Sequence, residues 1–134
     1  MTYTPEQISL KVLKEIKTPD VLTLSLDEKI KLARHLNTPV ESLKVLATDK
    51  NPDVRCCVAR HPNTPVETLS VLATDKNWDV RCCVARNPNT PVEDLKVLAT
   101  DEDSVVRYWV ARHLNATEIV KRLVLMTNSK RMDT

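Results

Sequence analysis

The sequence predicts an all-α solenoid of paired short helices, and three observations carry that reading. A block recurs three times, as NTPVESLKVLATDKNPDVRCCVAR at 37–60, NTPVETLSVLATDKNWDVRCCVAR at 63–86 and NTPVEDLKVLATDEDSVVRYWVAR at 89–112. The period is 26 residues, read off Thr38, Thr64 and Thr90 and again off Arg60, Arg86 and Arg112. Within each block the apolar residues fall at i, i+3, i+4 spacing, which lines one face of a helix. Each block also contains two sets of helix-start residues, so it holds two helices rather than one. A fixed period of this length is the mark of a stacked array, in which no unit buries its apolar face alone.

Taken in order, residues 1–26 form an N-terminal capping segment with a helix expected over 5–16. A second helix is expected over 26–35, behind Ser25-x-x-Glu28. Residues 27–36 are a partial unit, because Lys29, Leu32, Ala33, Arg34 and Asn37 align with Arg55, Val58, Ala59, Arg60 and Asn63. Full units span 37–62, 63–88 and 89–114. In each, the first helix is expected to start at a capping box: Thr38 at N-cap, Pro39 at N1 and Glu41 at N3. Thr64–Glu67 and Thr90–Glu93 repeat it. Leu43, Leu46 and Ala47 give that helix its buried face. The second helix starts at Asn51-Pro52-Asp53, with an acid in the first turn where the helix dipole favours it. It buries Val54, Cys57 and Val58 and ends near Arg60-His61-Pro62. Residues 115–134 are a C-terminal capping helix, over 118–126, and a tail. Helices of about 8–10 residues do not persist alone in water. Stacking must supply the burial, through the columns Leu43/Leu69/Leu95, Leu46/Leu72/Leu98 and Val58/Val84/Val110.

Composition removes several function classes. The chain has 134 residues, 20 basic and 18 acidic side chains and no glycine. Phosphate-cradling loops need glycine for close backbone approach, so P-loop and dinucleotide sites are excluded. The near-neutral balance demands neither nucleic acid nor a membrane surface. The charge is uneven, however: residues 79–104 carry 3 basic and 6 acidic groups, and residues 105–134 carry 6 and 2. No apolar run reaches membrane-span length, and the first ten residues lack the pattern of a signal peptide. The four cysteines form two adjacent pairs, Cys56-Cys57 and Cys82-Cys83. That is a poor disulfide framework, and it predicts a reducing, cytoplasmic location.

Asn63, Pro65, Leu69, Leu72, Ala73, Asp75, Val80, Arg81, Val84 and Ala85, recurring one unit earlier and later, resemble the leucine-rich repeat variant family over about residues 27–115. The resemblance implies a right-handed superhelix of paired short helices, α with α or α with 3₁₀. The Asp…Val-Arg element is also similar to HEAT repeats. Family units are usually nearer 24 residues, which implies different turns or pitch here. Some members carry a cysteine-rich iron–sulphur segment before the repeats, whereas residues 1–26 contain no cysteine. The resemblance implies no reaction.

A solenoid turns each repeated position into a column, with neighbours roughly 8–10 Å apart. Arg55/Arg81/Arg107, preceded by Lys29, lie six residues after Asp49/Asp75/Asp101. An Asp–Arg ladder between units is the structural reading, and a ligand-binding arginine column is the functional one. The column Arg34/Arg60/Arg86/Arg112, with His35, His61, Asn87 and His113 beside it, reads either as charge complementing helix C-termini or as a partner-binding stripe. It lacks aromatic interleaving, which counts against single-strand stacking. One histidine per unit is too sparse for a common metal ion. Equivalent cysteines about 8–10 Å apart exceed disulfide reach, so the cysteines read as core, with no metal and no cofactor. Tyr108 and Trp109 are expected to close the end of the stack. Trp78 replaces Pro52 at a helix N1 position, where it is either a binding anchor or packed on the next turn.

Catalysis needs unlike groups converging within hydrogen-bond reach, and these units repeat like groups instead. The expectation is a non-enzymatic, monomeric scaffold for a protein partner. Its candidate contacts are Arg34, Arg60, Arg86, Arg112, His35, His61, His113 and Trp78. The alternative is nucleic acid bound along the same stripe.

Overall fold

The computed structural model describes residues 21–132. The helix expected over 5–16 and the first part of the N-terminal segment lie outside the described residues. Within them are eight helices: α1 (Leu26–Arg34), α2 (Val40–Leu46), α3 (Pro52–Arg60), α4 (Val66–Leu72), α5 (Trp78–Arg86), α6 (Val92–Leu98), α7 (Ser104–Ala111) and α8 (Glu118–Met132). Long and short helices alternate. The long ones, α1, α3, α5 and α7, stack one on the next in a row, and α8 packs against α7 and α6. The chain is thus a helical repeat solenoid, with no strand among the described residues.

The long helices begin as their residues dictate. Ser25 and Glu28 close a capping box at α1. The side chains of Asn51 and Asn77 accept the N–H of Asp53 and Asp79 at 2.8 Å, and Asp103 accepts that of Val105 at 2.8 Å. The short helices correct the expectation of a threonine capping box. Pro39, Pro65 and Pro91 stand at N-cap, and no side chain caps these helices. The threonines are buried, and a buried hydroxyl must find an acceptor. Thr64 and Thr90 donate to the Val58 and Val84 carbonyls at 2.6 Å, and Thr38 donates to that of Leu32. Each threonine therefore ties the last turn of a long helix to the start of the short helix that follows. All eight elements are α-helical. A 3₁₀ character survives only at helix ends, as in Asp49 N–H to Leu46 O at 3.1 Å after a short helix and His61 N–H to Val58 O at 3.1 Å after a long one.

The expected leucine and valine columns form the core. Leu43, Leu69, Leu95, Leu46, Leu72, Leu98, Val58, Val84 and Val110 are essentially inaccessible, and α8 adds Val120 and Val124.

The Asp–Arg ladder is also present, and it is structural. Arg55 Nε and Nη2 donate to both carboxylate oxygens of Asp75, at 2.8 and 3.1 Å, while its Nη1 donates to the Asp49 carbonyl at 2.8 Å. Arg81 repeats this with Asp101 and the Asp75 carbonyl. Lys29 makes the first rung, to Asp49 at 2.7 Å. At the last rung Arg107 finds no aspartate and donates to Asn128 Oδ1 of α8 at 2.6 Å. Each aspartate also accepts a backbone N–H of its own turn, that of Asn51, Asn77 or Asp103, at 2.9 Å. The carboxylate thus shapes one turn while the arginine of the preceding unit grips it. Burial raises the Asp49 and Asp75 carboxyls. Hydrogen bonds from Lys29 to Asp49 and from Arg55 to Asp75, with those turn N–H groups, outweigh it and hold both below the usual carboxylate range.

Three outcomes follow from this packing. Leu69→Ala should cost about 2–5 kcal/mol in urea unfolding, whereas Val71→Ala, on the same helix but exposed, should stay within about 0.5 kcal/mol. Arg81→Ala should cost about 3–5 kcal/mol, because it strands the buried Asp101 carboxylate, and an unchanged melting temperature would refute the structural role. Asp49 and Asp75 have depressed folded-state pKa values, so their contribution is fully present above the unfolded value of about 4 and is lost as pH falls through the folded value. Thermal melts between pH 7 and pH 2 should show that acid loss, and Asp75→Asn should flatten it.

Candidate functional site

The long helices carry the candidate stripe at their C-terminal ends. Arg34, Arg60 and Arg86 are the last residues of α1, α3 and α5, and Arg112 is the C-cap of α7. All four are exposed. Among the described residues none forms an ion pair, unlike the buried arginines of the ladder. Two are held by aromatic rings: Arg86 lies 4.4 Å over Trp109, and Arg112 lies 3.6 Å over Tyr108. Those rings meet edge to face, with centroids 5.2 Å apart. The aromatic interleaving missing from the linear sequence is therefore present in space. The stacking of α5 on α7 supplies it, since Trp109 follows Arg86 by most of a repeat. Trp109 is half-buried against the core, while Tyr108 stays exposed.

Two grooves open on this face. One, of about 550 Å³, is lined by Arg34 and Arg60 together with Asp53, Cys56 and Cys57. The other, of about 290 Å³, runs between Arg86 and Arg112 beside Trp109 and Leu114.

The histidines beside the stripe are struts. His61 and His113 are buried. His61 Nε2 meets the His35 carbonyl at 2.7 Å, and His113 Nε2 meets the Asn87 carbonyl at 2.7 Å. Their Nδ1 atoms accept the N–H of Asn63 and Asn115, at 3.0 and 2.9 Å. A backbone N–H can only donate, so Nδ1 accepts and Nε2 carries the hydrogen. Neither ring nitrogen is left for a ligand. Asn87 does the same work with an amide: its Oδ1 accepts the Asn89 N–H at 2.9 Å, and its Nδ2 donates to the Ala59 and His61 carbonyls at 2.8 and 3.1 Å. The restriction of this column to histidine and asparagine was the available signal, since both offer one acceptor and one donor at this reach. Asn63, Asn89 and Asn115 add a parallel set of bonds to the Leu36, Pro62 and Pro88 carbonyls. His35 is only partly buried, and its Nδ1 accepts the Asn37 N–H at 3.1 Å. Trp78 is 47% exposed at the start of α5, at the opposite end of that helix from Arg86.

The cysteines depart from the spacing argument. Equivalent cysteines are one repeat apart, but the pair that meets is diagonal. A sulfur of Cys56 on α3, a sulfur of Cys83 on α5 and a carboxylate oxygen of Asp79 lie within 4.8 Å of one another. Successive long helices are offset so that a position faces residues 26 and 27 further on, the same offset seen in the asparagine bonds. The two thiols differ. Hydrogen bonding with Cys56 lowers Cys83 against the opposing effect of burial, and Arg60 and Arg86 add to the lowering. The same bond, with burial, pushes Cys56 up. Burial pushes Cys82 up to about 11 and also raises Cys57.

The family model described as leucine rich repeat variant matches residues 52–77 and 78–103. Two units of this chain are leucine rich repeat variant repeats. The matched frame opens on a long helix, α3 or α5, and closes just before the next. Each matched span keeps the 26-residue period. No curated protein and no solved structure matches the chain. As leucine rich repeat variant units, α3 to α6 supply the central two arginines of the stripe and all four cysteines. Among the described residues no helix is long and apolar enough to cross a membrane.

Proposed function

We propose that this repeat chain is a non-enzymatic, cytoplasmic scaffold, and that the face carrying Arg34, Arg60, Arg86 and Arg112 binds an acidic segment of a protein partner. The observation that carries the reading is the contrast between the two arginine columns. One is buried and paired with aspartates or carbonyls. The other is exposed, lacks acidic partners among the described residues and, at Arg86 and Arg112, is held in place by aromatic rings. Ordering an arginine before binding lowers the entropy lost when a partner arrives. The grooves between successive long helices offer apolar floor beside each charge, and stacked units hold the charges at a regular spacing. His61 and His113 support this face from beneath, His35 stands at its edge, and Trp78 is a candidate anchor for a partner that extends along α5. The near-neutral net charge, +2, favours a local acidic match over a general polyanion.

The second reading, nucleic acid on the same stripe, is favoured by the aromatic rings at Arg86 and Arg112, because bases stack on such rings. Affinity capture from host lysate, with and without nuclease, separates the two. A protein that survives nuclease and is lost at least tenfold with Arg60/Arg86/Arg112→Glu is the expected result. Those side chains are exposed, so the variant should keep its fold apart from cation–π contacts worth about 0.5–1 kcal/mol each. Material that vanishes with nuclease and binds with a steep salt dependence would establish nucleic acid instead. Binding that ignores the arginines would sink both readings.

A further inference from the structure

We propose that Cys56, Asp79 and Cys83 form a binding site for a soft divalent metal ion, of the zinc or cadmium kind, bridging α3 and α5. The three ligand atoms already lie within 4.8 Å of one another. Around an ion with Zn–S bonds of about 2.3 Å, tetrahedral ligands stand roughly 3.8 Å apart, so small side-chain rotations complete the site. Two sulfurs and one carboxylate suit such an ion, and the exposed side of Asp79 leaves the fourth position to water.

The repeat itself supplies an internal comparison. The same three positions occur at each junction between long helices. Between α1 and α3 they are Ile30, Asp53 and Cys57, and between α5 and α7 they are Cys82, Val105 and Trp109. Only the α3–α5 junction carries three ligating groups. Packing alone is met at the neighbouring junctions by isoleucine or tryptophan, so it does not require this combination. The Asp79 carboxylate, unlike those of Asp49, Asp75 and Asp101, accepts no hydrogen bond and forms no ion pair among the described residues.

Disulfide formation fits less well. A disulfide would join only the two sulfurs and needs an oxidant, whereas an ion engages both sulfurs and the Asp79 carboxylate together and needs none. Binding forms two metal–sulfur bonds and one metal–oxygen bond, and the two thiol protons leave to solvent.

The test is titration of the full chain with cadmium chloride in a phosphine reductant, reading thiolate-to-metal charge-transfer absorption and the metal content after dialysis. The expected result is one ion per chain, a raised melting temperature, and affinity reduced by more than about 100-fold in Cys56→Ser and Cys83→Ser, beyond the loss of an outer-shell partner. Cys57→Ser and Cys82→Ser should bind as the parent does. Should either ligand variant misfold by circular dichroism, the exposed Asp79→Asn, expected to weaken binding at least tenfold, carries the test. No absorption band, equal loss in Cys57→Ser, or full binding in Cys83→Ser would overturn the proposal.

Discussion

The guanidinium of Arg55 holds two units at once. Its Nε and Nη2 grip the carboxylate of Asp75 in the following turn, while its Nη1 satisfies the carbonyl of Asp49 in the turn before its own helix. Ion pairs of this kind are weak evidence for net stability, since removing two charges from water offsets much of their attraction. Their value here is geometric. A planar donor with bonds in two directions sets how far one turn lies from the next and at what angle. Seven-residue helices have no independent means of choosing that angle. The leucine columns supply the driving force for stacking, and the arginines choose which stacking it is. The alignment of everything else, from the exposed arginines to the diagonal thiols, depends on that choice.

Much of this was legible in the sequence, because repetition converts linear spacing into spatial neighbourhood. Arg81 and Asp101 stand 20 residues apart, and the period alone brings them together. The leucine columns and the asparagine N-caps were legible for the same reason. The sequence is ambiguous where a residue type has two competing uses. Thr38, Thr64 and Thr90 have the spacing of a capping box, but burial draws their hydroxyls to the preceding helix. His61 and His113 look like surface donors beside an arginine, yet they act as larger versions of Asn87. Diagonal contacts are hidden from the linear spacing as well. Comparing Cys56 with Cys82 misses its neighbour Cys83, and a search for aromatics near Arg86 along the chain misses Trp109. Asn128 was out of reach altogether. It ends the ladder from a helix that does not follow the repeat.

Two kinds of feature thus share one surface. Columns arise whenever a unit is copied, and they suit a partner that extends along the array. The thiol–carboxylate junction arises from differences between copies and, among the described residues, exists at one place. A solenoid gives both a fixed frame: the regular series offers length, and the single departure offers a local address within it.

The turns themselves contain no residue with positive φ among those described, and the chain has no glycine at all. Each reversal is made from ordinary backbone conformations and held by side chains such as Thr64, Asn63 and His61. No position is therefore reserved for the one residue type that tolerates left-handed geometry. In evolutionary terms the unit is unusually open: a duplicated copy can drift at any loop position without steric penalty from the backbone, provided the few hydrogen-bonding struts are kept. The exchange of histidine for asparagine at position 87, and of proline for tryptophan at position 78, shows the range of change that such a unit accommodates while its backbone stays the same.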